Sequence, residues 1–420
     1  MDMVRLRGFT KLTPIDCARE QFFKLLKLEP LESEIIHVRE CLGRILSTDI
    51  RAEKDIPFFD RSAVDGFAVR AEDTFSSSMT DPCVLEVIGK VRSGELCKLK
   101  LGKGEAVEVT TGAQLPIGAD AVEMLEHVEK IDDKHLEIRS PVPPWKNVSK
   151  KGEDVAKGEI IIPKGTKLKP QHLGMLVALE YTKVSVFRRP RVAIFSTGDE
   201  LIEVGDKLKP GKIIDLNRII LSNAVKEVGG EPVDLGIVSD NLRKIRGALR
   251  KGLKESDLVI TSGGTSVGES DLVPEAVNSL GKPGVIVHGV RMRPGMPTAL
   301  AILNGKPVIL LSGYSVAAMM GFEFFAKPLI LRMLCTGKDP DPIVKAALTR
   351  RVASSPGFKQ FVRVLVKKVN EKYIAEPIQS IGSGILSSLI KANGLLIMPE
   401  DSEGVEEGEE VEIVLFGQVK

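Results

Sequence analysis

Residues 257–277 read DLVITSGGTSVGESDLVPEAV, a short apolar run that passes into small and hydroxyl-bearing residues and then into a helical pattern. Asp257-Leu258-Val259-Ile260-Thr261 has the apolar character of a strand covered on both faces, as in parallel sheets. Gly263, Gly264 and Gly268 let the backbone that follows come close to a ligand. Strand, loop and helix in this order predict an anion cradle. Backbone N–H groups at the start of the helix, joined by the hydroxyls of Ser262, Thr265 and Ser266, favour negative charge, and in open α/β sheets ligands sit at the carboxyl ends of the strands. Asp271 at the mouth of this loop either holds a Mg²⁺ ion that bridges to phosphate, meets a sugar hydroxyl, or caps the helix that starts near Leu272. A single Gly-rich turn leaves these readings level.

The neighbouring segments repeat the pattern. Arg191-Val192-Ala193-Ile194-Phe195 reads as a buried strand that delivers Ser196-Thr197-Gly198-Asp199-Glu200-Leu201. Asp215-Leu216-Asn217-Arg218 precedes a helix through Leu221, Val225 and Val228, and a strand over 233–238 ends in Ser239-Asp240-Asn241. Apolar strands alternating with amphipathic helices predict a doubly wound parallel sheet whose loops at 196–200, 239–241 and 262–271 open on one edge. Glu200, Asp240 and Asp271 would then be neighbours, a costly arrangement unless a divalent cation lies among them. Downstream, the rigid turn at 288–297 (HGVRMRPGMP) carries Arg291 and Arg293, whose guanidinium groups suit a bidentate grip on phosphate. A strand over 307–311 then runs through Ser312-Gly313-Tyr314-Ser315 into a helix rich in Ala, Met and Phe, which reads as core.

Elsewhere the signals are plainer. Thr13-Pro14-Ile15-Asp16 reads as a capped helix start, followed by Ala18, Phe22, Leu25 and Leu26 at helical spacing. Residues 60–70 (DRSAVDGFAVR) gather two carboxylates, two guanidinium groups and a serine around one glycine, as a salt-bridged loop or as carboxylates offered to a metal or a ligand hydroxyl. From 84 to 138 short alternating strands predict a small β domain, with Thr111 in the turn that ends one of them. Pro141-Val142-Pro143-Pro144-Trp145 reads as a hinge, residues 150–154 (KKGED) as a charged turn, and His172 as structural at the start of a helix. Beyond about 341 alternating patterns and Gly turns predict a small β-barrel, with the polar turn at 380–384 either facing a ligand or merely closing a hairpin.

Composition narrows the function classes. At 420 residues the chain is too long for one core, and 43% apolar with 28% charged residues describes an ordinary globular protein. A net charge of +2, three tyrosines and one tryptophan argue against nucleic acid as partner. Five scattered cysteines without a CxxC pair indicate neither a disulfide framework nor a zinc site. The first ten residues carry charges where a signal peptide needs an apolar core, and no run approaches a membrane span, so a cytoplasmic location without membrane contact is the expectation.

RSAVDGFAVR (61–70), TTGAQLPIGAD (110–120), KGEDV (151–155), FSTGDEL (195–201), DLNR (215–218), TSGGTSVGESD (261–271) and RPGMP (293–297) together resemble the MoeA family of molybdopterin molybdenumtransferases, which includes the E domain of gephyrin. The resemblance spans essentially the whole chain. TSGGTSVGxxD alone marks only the wider molybdopterin-binding superfamily, shared with MogA-like adenylyltransferases and CinA proteins. The family implies a multidomain α/β plus β fold. An N-terminal α+β region (1–50 and 142–180) would carry an inserted small β domain (51–141), followed by a doubly wound α/β molybdopterin-binding domain (181–338) and a C-terminal small β-barrel (339–420). It also implies insertion of molybdate, or tungstate, into adenylylated molybdopterin, with Mg²⁺-dependent cleavage of the pyrophosphate link and release of AMP. Family members are homodimers with the site between subunits, and a MogA/MoaB-like adenylyltransferase is the expected partner.

Residue by residue, the resemblance assigns Asp65, Thr111 and Asp154 to one half of the site. Glu200, Asp240 and Asp271 go to the other half, as catalytic groups and as metal ligands. Ser262, Gly263, Gly264, Thr265, Ser266, Arg291, Arg293, Ser312, Ser315 and Ser383 would bind substrate. Two motifs depart from the family pattern: RPGMP (293–297) stands where KPGKP is usual, and SGYS (312–315) stands where PGNP is usual. One lysine and a proline pair are thereby lost, and weaker oxyanion capture is the expectation. A binding protein without turnover and a nucleotide pyrophosphate hydrolase are the alternatives to the transferase.

Overall fold

The computed structural model describes residues 12–265, 272–337, 340–378 and 382–420, so Ser266 and Asp271 lie outside the described residues. The chain divides into two compact units, Ile35–Val186 and the segments on either side of it, Met1–Glu34 with Phe187–Lys420.

A six-stranded sheet organises the larger unit, in the order Glu231–Val238, Arg191–Thr197, Leu258–Ser262, Lys306–Leu311, Ala299–Leu303, Pro283–His288. The first four strands run parallel, and Ala299–Leu303 runs antiparallel to both of its neighbours. The central strands are buried beyond their first residues because helices cover both faces, which is why they read as continuous apolar runs. Side-chain alternation divides them. Ala193, Phe195, Val259, Val308 and Leu310 meet Ile245 and Leu249 of helix Leu242–Glu255 and Val273, Ala276 and Val277 of helix Leu272–Asn278. Helix Asn217–Val228 packs instead with the Ser315–Gly321 and Lys327–Met333 helices. The doubly wound parallel sheet expected from the β-α alternation is present, with one strand reversed: Ala299–Leu303 has no crossover helix on either side, and the two-residue return at 304–305 sets it antiparallel to Lys306–Leu311.

Helix Ile15–Leu25 buries Ile15, Ala18 and Phe22 and lies against the Pro283–His288 and Ala299–Leu303 strands. Its start differs from the expected cap. Pro14 is the N-cap residue and no side chain caps it. Thr13 is instead held through its backbone, donating from its N–H to Gly289 O at 3.1 Å and accepting from Arg291 N at 2.8 Å.

Five strands at the C-terminus, Ile343–Leu348, Lys359–Val369, Lys372–Pro377, Gly394–Met398 and Glu410–Leu415, pair around a closed circuit. The expected small β-barrel is therefore present, with Ala346, Val364, Val366, Ala375, Leu396 and Ile413 filling its interior.

In the unit Ile35–Val186 a second six-stranded sheet is built from Gly66–Val69, Cys83–Val91, Glu105–Val109, Ala121–Met124, Val128–Lys130 and His135–Ile138. Its faces divide by alternation: Phe67 and Val69 join one apolar cluster, Ala68, Val107 and Val109 the other. A further cluster around Leu46, Ile50, Ile162, Leu176 and Val186 unites the flanking α+β segment with helix Pro170–Ala178, at whose start His172 accepts a hydrogen bond from Lys169 N at 3.0 Å.

Candidate functional site

Thr197, Val238, Ser262 and Leu311 end the four adjacent parallel strands, so the turns after them share one edge of the sheet. Gly263 and Gly264 hold φ of +92° and +63° there, and a Cβ on Gly263 would stand 2.4 Å from Thr197 O. No L side chain fits that approach without a backbone shift. Beneath them Gly263 N donates to Leu311 O at 3.0 Å, and Thr265 Oγ1 donates to the same carbonyl at 3.5 Å. His288, on the outermost strand, hydrogen-bonds the Thr265 backbone; burial pushes its imidazole below the usual range, and that bond holds partly against it.

The carboxylates sit at the adjoining strand ends. Asp240 Oδ1 accepts from Thr197 Oγ1 at 2.7 Å and Oδ2 from Asp199 N at 3.3 Å, while Asp240 N donates to Asp199 Oδ1 at 3.2 Å. Glu200 folds back over the strand end, its carboxylate oxygens 2.6 and 2.7 Å from where a Cβ on Gly198 would be. Both acids are exposed. Among the described residues no set of three His, Cys, Asp or Glu side chains stands ready to hold a metal ion. Two carboxylates with lone pairs to spare do match Mg²⁺, which takes one or two protein carboxylates and keeps several waters. The expected third acid, Asp271, lies outside the described residues.

The 312–315 turn closes the row. Ser312 and Ser315 are buried, Tyr314 N donates to Ser312 Oγ at 3.2 Å, and Val316 N donates to Ser383 O at 3.1 Å, which brings Ser383 beside the turn. Arg291 and Arg293 lean on the barrel. Met292–Arg293 pairs with the Lys359–Val369 strand, Arg291 Nη1 lies 3.7 Å from Glu400 Oε2, and the Arg293 guanidinium stacks 4.0 Å over the Phe358 ring.

The unit Ile35–Val186 presents its own polar edge. Asp65 Oδ1 accepts from Thr111 N at 2.6 Å and from Thr111 Oγ1 at 2.9 Å. These two donors, the backbone one first, hold the Asp65 carboxyl below the usual range although it is exposed. Arg61–Ser62 pairs with Val148–Ser149, so the 150–154 turn follows directly from a neighbour of the Asp65 loop. Asp154 in that turn is exposed, its N–H donating to Ile56 O at 3.1 Å.

Three family models match in order: the MoeA N-terminal region (domain I and II) over residues 13–179, a probable molybdopterin binding domain over 193–332, and the MoeA C-terminal region (domain IV) over 345–416. The chain is 39% identical over 417 residues to a putative molybdopterin biosynthesis protein of Methanocaldococcus jannaschii, covering 96% of this chain and 98% of that one. The chain belongs to the MoeA family. The molybdopterin molybdenumtransferase of Bacillus subtilis is 37% identical over 388 residues, 92% of this chain and 90% of the relative. A crystal structure of the MoeA protein of Pyrococcus horikoshii superposes with a TM-score of 0.84 at 40% identity, covering 97% of this chain and all of that one.

On this MoeA framework several site-building residues went unassigned in the sequence: Thr197 and Asp199, which fix Asp240, and Asp215, which accepts from Ser196 Oγ, Asn217 N and the Arg218 guanidinium. Motif FSTGDEL held the first two and DLNR the third, but the hydroxyl and amide contacts that give them work exist only across strands.

Proposed function

We propose that this chain is a molybdopterin molybdenumtransferase that inserts molybdate or tungstate into adenylylated molybdopterin and releases AMP. The observation that carries the reading is the shared edge, where the close-set glycine turn at 263–264 adjoins the carboxylates of Glu200 and Asp240. Backbone N–H groups of the loop would bind the phosphates, with Ser312, Ser315 and Ser383 across the same mouth and Arg291 and Arg293 adding positive charge. The expected role of the Ser262 and Thr265 hydroxyls is corrected, because both are buried and spend their protons on Ser312 O and Leu311 O, shaping the turn from beneath. Glu200 and Asp240, with Asp271, would hold Mg²⁺, which when bound neutralises charge on the phosphate oxygens. Thr197 and Asp199 keep the Asp240 carboxylate pointed in one direction. Asp65, held ionised by Thr111, is a poor proton donor near neutral pH and acts by accepting hydrogen bonds or by its charge, with Asp154 alongside in function. As in the family, the enzyme would act as a homodimer, with a MogA/MoaB-like adenylyltransferase supplying its substrate.

The test is AMP release from adenylylated molybdopterin by the purified protein with Mg²⁺, compared without oxyanion and with molybdate or tungstate. Release that depends on an oxyanion supports the transferase. Release that ignores the oxyanion replaces it with a pyrophosphate hydrolase, and tight binding without release replaces it with a binding protein.

A further inference from the structure

The 312–315 turn, Ser312-Gly313-Tyr314-Ser315, contains no proline, so its shape must be imposed from outside. The restraint comes from Asn217, the first residue of helix Asn217–Val228 and 6% exposed. Asn217 Nδ2 lies 2.8 Å from Ser262 Oγ and 2.8 Å from Gly313 O. The orientation of this amide is settled by its partners. A backbone carbonyl only accepts, and the single proton of Ser262 Oγ goes to Ser312 O at 3.1 Å, so that hydroxyl must accept from Asn217. Both amide protons are therefore committed. Asn217 Oδ1 is buried with no hydrogen-bond partner among the described residues, a cost set against what the N–H groups hold.

The consequence falls on the turn. Ser312 O and Gly313 O are both drawn inward, to Ser262 and Asn217. Neither peptide is cis, and in a trans peptide the N–H points away from its own carbonyl. The Gly313 N–H is thus turned outward, toward the mouth of the site. Tyr314 N bonds Ser312 Oγ, so the Gly313 amide is a backbone donor that the turn can offer to an anion, beside the hydroxyls of Ser312 and Ser315.

We infer that Asn217 is a positioning residue that sets the 312–315 turn for oxyanion capture. The inference rests on the transferase reading and deepens it. The glycine turn after Ser262 depends on Asn217 far less, because Gly263 N and Thr265 Oγ1 are already anchored on Leu311 O. Loss of the clamp should therefore weaken the oxyanion more than the organic substrate.

The experiment compares wild type with Asn217→Asp, a same-sized change that removes both donors. Asn217→Leu, compared alongside, removes them without adding a charge that would itself repel an oxyanion and must show the same selective loss. Molybdate and tungstate binding to the full chain is measured by calorimetry, together with the concentration dependence of AMP release on each substrate. The expected result is an oxyanion dissociation constant raised about tenfold or more, with KM for adenylylated molybdopterin changed by less than about threefold. Equal losses for both ligands, unchanged oxyanion binding, or no oxyanion binding by wild type would each overturn the inference. If wild type binds oxyanion, Asn217→Asp binds it poorly and neither releases AMP, the inference stands and the transferase reading falls. Should Asn217→Asp fail to fold, Ser262→Ala opens the other end of the clamp and must produce the same selective loss, failing which the inference is lost.

Discussion

Asp65 and Thr111 are 46 positions apart in the chain, and two hydrogen bonds to one carboxylate oxygen make them a single unit. Asp65→Asn keeps the shape and removes the charge, so AMP release should fall by at least about 100-fold while the protein stays folded, with only a small drop in melting temperature as the Thr111 donors lose their charged acceptor. Thr111→Val is a finer probe. It deletes the hydroxyl donor and leaves the backbone one, so the depressed Asp65 pKa should rise toward the ordinary range. Because the carboxylate must stay ionised, the acid limb of the pH–rate profile should then move to higher pH than in wild type. Asp257, at the start of the central strand, works differently. Burial opposes its ionisation, but the paired Arg188 bonds at 2.7 and 2.9 Å outweigh that and bring its pKa below the usual value. A pKa depressed in the folded state contributes stability above the unfolded value, about 3.9, that is lost as pH falls through the folded value. Asp257→Asn should therefore cost about 1–2 kcal/mol at neutral pH after discounting solvent screening, and acid denaturation curves should converge with wild type as pH falls below that window.

At the scale of elements, the glycine turn is the part least tolerant of change. Gly263→Ala places a Cβ 2.4 Å from a backbone oxygen at φ +92°, so either the turn or the Arg191–Thr197 strand end must move. A loss of about 1–2 kcal/mol in thermal stability from the left-handed conformation alone is expected, with a larger proportional loss in AMP release because the displaced strand end carries Thr197, whose hydroxyl holds the Asp240 carboxylate. Thermal melts beside kinetics would separate the two. The same element shows how far a sequence pattern reaches. The Leu258–Ser262 strand and its glycine turn were legible because a strand covered on both faces is apolar at every position. Ala299–Leu303 is equally buried, yet its antiparallel direction follows from a short return that hydropathy does not encode. The Thr13 start read as a cap for the same reason: a hydroxyl before a helix resembles one, whereas its backbone is taken up by residues 289–291.

At the scale of the whole molecule, the chain carries carboxylates on two compact units, Asp65 and Asp154 on one, Glu200 and Asp240 on the other. If two copies combine these sets, Asp65→Asn and Asp240→Asn should each be inactive alone. Mixed under conditions that exchange subunits, they should recover about a quarter of wild-type activity, since half of the dimers are mixed and each of these has one intact site. Absence of recovery, with exchange verified by mass, would place both sets of carboxylates within one copy.

By itself the sequence determined the family, the β-α alternation of the central domain and the closed barrel, because burial on both faces, glycine at left-handed positions and motif order are local properties. Only the tertiary structure decided which groups work on one another. Thr197 meets Asp240 across 43 positions, Asn217 meets Gly313 across 96, and Arg291 and Arg293 turn to Glu400 and Phe358 of the barrel. Hydrogen bonds between strand ends depend on register and sheet order, and those are settled by packing of the whole unit and not by any one stretch of residues.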